Sequence, residues 1–384
     1  MSDEDTIPIP RENDYFVGHD EAVATLDDSF RSGRFHHAWL ISGPKGVGKA
    51  TLAWRFARHV LAENITFEKK PDAAAGLFGE LPEDETATSA PDDAAPFYVS
   101  PDHPVFQRMA AGGHADVFVV ERSPTKDGTK LRTEIVVDDV RGISTFLHKT
   151  AAEGGWRVVI VDAADEMNVN AANAVLKMLE EPPARTMLLL VAHNPGRLLP
   201  TIRSRCRKLT LGALDEETVT ALVRRYVPDI PDSDAKTLAR LADGSIGRAL
   251  ALDEEGGIEL YRDLLGLLDT LPRLDVARLH AFAERVARDR TGNAFHTVSG
   301  LLAWWLHRFV RFSASGGAGM RLGAGEEALM RRLVDQGAGA SLDRWLRVWE
   351  KMADLFARTD AVNLDRKQII LNAFLALEGA AQAA

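Results

Sequence analysis

Trp39-Leu-Ile-Ser-Gly-Pro-Lys-Gly-Val-Gly-Lys-Ala-Thr51 is the stretch from which the fold can be worked outward. Ala38 to Ile41 is a short apolar run and reads as a buried strand. Gly43, Gly46 and Gly48 follow, and a helical pattern begins at Lys49. Strand, glycine loop and helix in that order are the setting of a phosphate-binding loop. Its glycines let backbone N–H groups close around phosphate oxygens. The helix start adds a partial positive charge and Lys49 a full one. The position after the lysine calls for a Ser or Thr hydroxyl that ligates magnesium. Here it is Ala50. Thr51 lies about 100° further round the helix and should not point at the same ion. The plain alternative, a glycine turn with no ligand, fits the match of glycines and lysine less well. A nucleotide-binding scaffold with a damaged metal site is the expectation.

A chain of 384 residues should hold two or three domains. Hydrophobic residues at 46% and charged residues at 27% are ordinary for a soluble globular protein. The net charge of −10 argues against gripping nucleic acid over the whole surface. The single cysteine, Cys206, rules out an internal disulfide and any multi-cysteine zinc site. The acidic, polar start from Met1 to Pro10 does not read as a signal peptide, and no apolar run reaches membrane-spanning length. A cytoplasmic protein with no membrane partner is expected.

Residues 1–16 read as a loose lead-in and Gly18 to Phe30 as a helix. The helix from Lys49 runs to about Ala62. From about 69 to 101 the chain is rich in Ala, Pro, Asp and Glu and reads as an acidic, flexible insertion. Val117 to Val120 is a second strand, and Asp138 or Asp139 should cap a helix that runs to about Thr150. Trp156 to Val161 is a third strand, ending at Asp162. Asn170 to Glu180 is a helix stopped by Pro182-Pro183. Met187 to Val191 and Arg207 to Leu211 complete five strands. Strands alternating with helices predict an α/β fold, a parallel sheet covered on both faces. Ligands bind such sheets beyond the carboxyl ends of the strands, where the Gly43–Lys49 loop lies.

After about Gly212 only helices are expected, with a loop at the glycines of 316–325. Val298, Leu301, Trp305, Phe309 and Phe312 follow helical steps, as do Trp345, Val348, Met352 and Phe356. These stripes read as a helical core, with an interface between subunits as the alternative.

An apolar strand ending in Asp162 supplies the acid that holds magnesium in phosphate-loop proteins. The residue after it, where motors of this type place a water-activating glutamate, is Ala163. Asp165 and Glu166 come two and three residues too late and should only start the next turn. Ala50 and Ala163 together point to a subunit that does not turn over ATP.

Four segments carry a resemblance: the loop itself, Asn173-Ala-Val-Leu-Lys-Met-Leu-Glu-Glu-Pro-Pro183, Ser204-Arg-Cys206 and Gly244-Ser-Ile-Gly-Arg-Ala-Leu250. Across roughly residues 15–255 the chain resembles the clamp-loader branch of the AAA+ proteins of bacterial DNA polymerase III. The resemblance implies an AAA+ P-loop module over 1–211, a small helical lid over 212–255 and an all-α oligomerising collar over 256–384. It also implies a five-membered arc of subunits that opens a sliding clamp and places it on primed DNA. The implied partners are the motor (gamma/tau) and delta subunits, with clamp and DNA met through the complex. Arg205 falls at the arginine finger that acts in trans on a neighbour's ATP. Gly43, Pro44, Lys45, Gly46, Val47, Gly48, Lys49, Ala50, Thr51 and Asp162 fall at the nucleotide site. His193 falls near the strand-end sensor and Arg248 at the lid sensor. Without the resemblance, Arg248 would read as a helix C-terminal charge or a surface residue, and His193 as a loop histidine. Many relatives carry a four-cysteine zinc module where this chain has the acidic insertion, so no zinc is expected. ATP or ADP would be weakly bound or absent. The expected role is a stator that holds its neighbours in register and completes an adjoining ATP site. The rivals are an active motor ATPase of the same family and an unrelated P-loop enzyme such as a nucleotide kinase.

Overall fold

A computed structural model describes residues 8–382 except 34, 69–95, 126–127, 129, 154, 319, 321, 336–341 and 362–363. The core of the expected acidic insertion therefore lies outside the described residues.

The chain forms two compact units, Met1–Thr218 and Val219–Ala384. In the first, strands β1 (Ala38–Ser42), β2 (Val117–Val120), β3 (Arg157–Asp162), β4 (Thr186–Ala192) and β5 (Arg207–Thr210) make one sheet in the order β2-β3-β4-β1-β5. All four pairings are parallel. A parallel sheet is covered on both faces, so its inner strands are apolar throughout and not alternating; in the edge strand β5 only Leu209 is buried. Every residue of β1 and β4 is buried. Period two still sorts the side chains. Trp39, Ile41, Val158, Ile160, Leu189 and Val191 face helices α1 (Asp20–Arg31) and α2 (Lys49–Glu68), meeting Leu26, Phe56 and Val60. Leu40, Val159, Val161, Leu188 and Leu190 face α4 (Val137–His148) and α5 (Val169–Glu180), meeting Ile143, Leu147 and Val175. A short helix, α3 (Pro104–Ala110), packs beside α2.

Three local expectations change. Neither Asp138 nor Asp139 is the cap residue of α4. Val136 holds that position, and Asp139, one turn in, reaches back to accept its N–H at 2.8 Å. The lead-in is pinned where it is described. Arg55 and Arg58 of α2 are buried, and their guanidinium groups donate to main-chain carbonyls. Arg58 reaches Arg11 (3.1 Å) and Asn13 (2.5 Å), while Arg55 reaches Asp14 (2.6 Å) and Pro96 (2.8 Å). Burial lowers the Arg58 guanidinium to about 10, still charged at neutral pH. The stretch after the insertion is also packed: Phe97 is buried against Phe56, ring centroids 4.8 Å apart.

The second unit is helical. Helix α7 (Glu216–Tyr226) spans the division, and α8 (Asp232–Ala242), α9 (Ile246–Glu254), α10 (Gly257–Leu268), α11 (Val276–Ala287), α12 (Asn293–Ser315), α13 (Ala324–Asp335), α14 (Leu342–Ala361) and α15 (Arg366–Gln382) follow. The stripe Val298, Leu301, Trp305, Phe309, Phe312 is buried within this unit. Trp305 stacks on Phe309 at 5.3 Å, and Phe309 meets Trp345 edge-on at 4.7 Å. The core reading of these aromatics therefore stands over the interface alternative. No helix among the described residues is long and apolar enough to cross a membrane.

Two stability predictions follow from the buried charges. Arg58→Ala leaves the carbonyls of Arg11 and Asn13 without their donors, at a cost of about 3 kcal/mol by urea unfolding. His114 is buried, and its Nδ1 accepts the Asp116 N–H at 3.1 Å. Burial pushes its pKa below the ordinary value, against the opposing pull of Glu153. The unfolded chain takes up this proton near pH 6.5 while the folded chain refuses it. Stability should fall as pH drops below about 6.5, and His114→Gln should flatten that slope in urea titrations at pH 7.5 and 5.5.

Candidate functional site: a phosphate loop and a remote arginine

The loop begins where β1 ends. Gly43 has φ 146°, and a Cβ there would stand 2.1 Å from the Leu211 carbonyl, so only glycine fits beside the residue that follows β5. Gly48 has φ 99° and lies under the Phe16 ring, 3.2 Å from where a Cβ would be. His19 Nε2 donates to the Val47 carbonyl at 2.9 Å, so the segment before α1 closes over the loop. Helix α2 starts at Lys49. The Lys49 side chain is buried and its Nζ donates to the Pro44 carbonyl at 2.5 Å, inside the loop's own turn. Burial lowers the ammonium to about 8, with Asp162 and Asp165 opposing. Burial also raises Asp162 to about 6; Glu121 adds to the rise and Lys49 opposes it.

Asp165 has a role that sequence reasoning missed. It lies on a short 3-10 turn, Ala164–Glu166, at the end of β3. Its buried carboxylate accepts the His193 N–H at 2.9 Å and the Asn194 N–H at 2.8 Å. This fixes the strand-end position of His193 next to the loop. His193 Nδ1 is buried with no protein hydrogen-bond partner, and burial lowers the ring's pKa, with Lys49 adding to the effect. Glu166 pairs with Arg122 at 2.9 Å. No local signal marks Asp165, because its partners lie 28 and 29 residues away.

The loop fits a phosphate: glycine backbone, a helix start and a lysine converge there. The ligand set does not fit magnesium in the usual way. Ala50 offers no hydroxyl, and Ala163, buried behind Asp162, offers no carboxylate. Among the described residues no cluster of three or more His, Cys, Asp or Glu side chains is placed to hold a metal ion.

Arg248 is in the second unit, in the first turn of α9, where its N–H donates to the Ser245 cap at 3.1 Å. That is the wrong helix end for a cation, so a dipole-balancing charge does not explain it. Burial lowers its pKa, with Asp243 opposing.

Arg205 is in the first unit but away from the loop. It ends α6 (Pro200–Arg205), two residues before β5. β5 runs parallel to β1 with Arg207 level with Trp39 and Thr210 level with Ser42. Arg205 is thus at the amino end of the sheet and the loop at the carboxyl end, about 15 Å away at 3.3 Å per residue. Arg205 Nη2 pairs with Glu180 at 2.8 Å and Nη1 donates to the Thr201 carbonyl at 3.1 Å, both side chains of the pair being exposed to solvent.

Residues 18–75 and 99–215 match the family described as DNA polymerase III, delta subunit. The chain is 37% identical over 220 residues to the DNA polymerase III subunit delta' of Pseudomonas aeruginosa, a stretch covering 57% of this chain and 56% of that protein. It is 33% identical over 224 residues to the Escherichia coli subunit delta', covering 58% and 56%. To the Bacillus subtilis subunit tau it is 22% identical over 76% of this chain and 46% of that protein. The matched stretch spans little more than half the length of the delta' relatives.

The site's chemistry predicts weak binding of ADP that does not depend on magnesium. Calorimetric titration should give the same affinity with magnesium chloride and with EDTA. Lys49→Ala should abolish binding, and Ala50→Ser should introduce a magnesium dependence. A strong magnesium requirement in the wild type would show that another group replaces the missing hydroxyl.

Proposed function

We propose that this chain, a delta prime-type module of bacterial clamp loaders through residues 18–215, is a stator subunit of the DNA polymerase III clamp loader. In this role it holds the motor and delta subunits in register while the sliding clamp is opened and placed on primed DNA. Arg205 completes a neighbour's ATP site, and the chain's own loop turns over little or no ATP. The observation that carries the reading is the position of Arg205. A guanidinium a full strand length from its own phosphate loop cannot serve that loop, but it can reach a nucleotide docked on the opposite edge.

The chemistry suits the position. Arginine stays charged and presents planar, paired donors, which can stabilise charge on a transferring phosphoryl group. A site with alanine at positions 50 and 163 has little use for such a group itself. His193 is assigned here to sensing whatever nucleotide the loop takes.

Purified alone, the chain should hydrolyse ATP far below ordinary enzyme rates of about 1 per second or more. In complexes reconstituted with motor and delta subunits, Arg205→Ala should assemble normally by gel filtration. It should slow DNA-stimulated ATP hydrolysis and clamp loading on the order of 10-fold, less than the ~10³–10⁵ of a sole finger, because other sites keep their own arginines. Arg205→Lys should rescue poorly, since lysine keeps the charge but loses the fork. Clamp loading at the wild-type rate by the Arg205→Ala complex would refute the assignment.

A further inference from the structure

Glu180 ends helix α5 with its carboxylate exposed. An anion in the last turn of a helix faces the negative end of the helix dipole and is disfavoured there. Lys177, one turn earlier, is the kind of charge that suits this end. The contact that accounts for the acid is the one to Arg205 at 2.8 Å.

This pair fixes the arginine in a particular way. Nη2 is held by Glu180, and Nη1 is held by the carbonyl of Thr201, four residues back on α6. Each Nη carries two hydrogens, and Nε carries one more. The two anchors therefore leave donors over on the guanidinium plane while restricting its rotation. A free arginine side chain carries rotamer entropy, part of which must be lost when it meets a phosphate. An arginine already held at two points loses less. Cys206, next along the chain, is buried, and Ile202 of α6 is fully buried in the sheet's core, so the backbone under Arg205 is fixed as well.

We propose that Glu180 is a positioning residue for Arg205, presenting its guanidinium to the nucleotide of a neighbouring subunit. The inference rests on the reading of Arg205 as a trans-acting arginine. Glu180 touches no substrate; it acts through the arginine. Its effect is bounded by what an exposed ion pair can do, no more than about five-fold in rate. The effect appears in turnover and not in ATP affinity, because the arginine is needed where charge develops in the transition state.

The test uses the clamp-loader complex reconstituted with each variant, with assembly checked by gel filtration and folding by thermal melting. Glu180→Ala should lower kcat for DNA-stimulated ATP hydrolysis about two- to five-fold with KM for ATP unchanged. Glu180→Gln keeps an acceptor oxygen of the same reach and should retain part of the rate. The double variant Glu180→Ala, Arg205→Ala should be no slower than Arg205→Ala alone. If Glu180→Ala runs at the wild-type rate or faster while Arg205→Ala is slow, the positioning role is overturned and the arginine reading survives. A Glu180→Ala loss that persists in full in the Arg205→Ala background overturns it too, since Glu180 would then act by another route. Wild-type turnover and clamp loading by Arg205→Ala itself would remove both readings at once.

Discussion

Parallel pairing of β1 with both β4 and β5 is the constraint on which the first unit depends. Parallel strands put every strand-to-helix loop at one end of the sheet and every helix-to-strand return at the other. The phosphate loop follows β1 and the turn bearing Asp165 follows β3, while His193 follows β4, so all three meet at the carboxyl end. Arg205 precedes β5 and is carried to the opposite end by the same rule. No side-chain interaction has to separate the two charged regions, because strand polarity does so.

Much of this was legible in the sequence because it is written in local patterns. Apolar runs mark four of the five strands, whereas β5 is an edge strand whose Arg207, Lys208 and Thr210 are exposed. Asn173 to Pro183 shows a helix and its stop side by side. The glycine spacing at 43–48 reads directly as a loop whose backbone approaches other groups closely, and the Leu211 carbonyl against Gly43 is such an approach. What was not legible are bonds between a side chain and a distant main chain. Arg55 and Arg58 look like solvent charges on an amphipathic helix, yet both are buried against carbonyls more than forty residues away. Phe97 sits beside a long acidic stretch, and nothing local marks it as core. The alternative reading of Arg248 as a helix C-terminal charge fails, because Ser245 caps the start of its helix. For Arg55, Arg58 and Phe97 the deciding partner lies outside any window that periodicity can scan.

At the carboxyl end of the sheet the glycine loop and the strand ends are built with alanine at positions 50 and 163. Ala50 and Ala163 remove two polar groups without opening a gap in the chain's course. Asp165 still ties β3 to β4 by accepting two main-chain N–H groups. Those two bonds hold the backbone of His193 and Asn194 at the end of β4, and they need no side chain at position 50 or 163.

The surroundings of Lys49 limit what its presence can be taken to mean. Its ammonium is buried, donates to the Pro44 carbonyl and lies in the field of Asp162 and Asp165. Removing it would leave those two acids without their nearest opposing charge, in a setting where burial already raises Asp162 to about 6. It would also free a loop whose turn the lysine closes. A lysine in a phosphate loop is usually read as a sign that phosphate is bound. Here the same residue has partners in the folded chain alone, the Pro44 carbonyl and the charges of Asp162 and Asp165, which offset part of the cost of burying it. The presence of the lysine is therefore accounted for by the folded chain itself, with or without a phosphate.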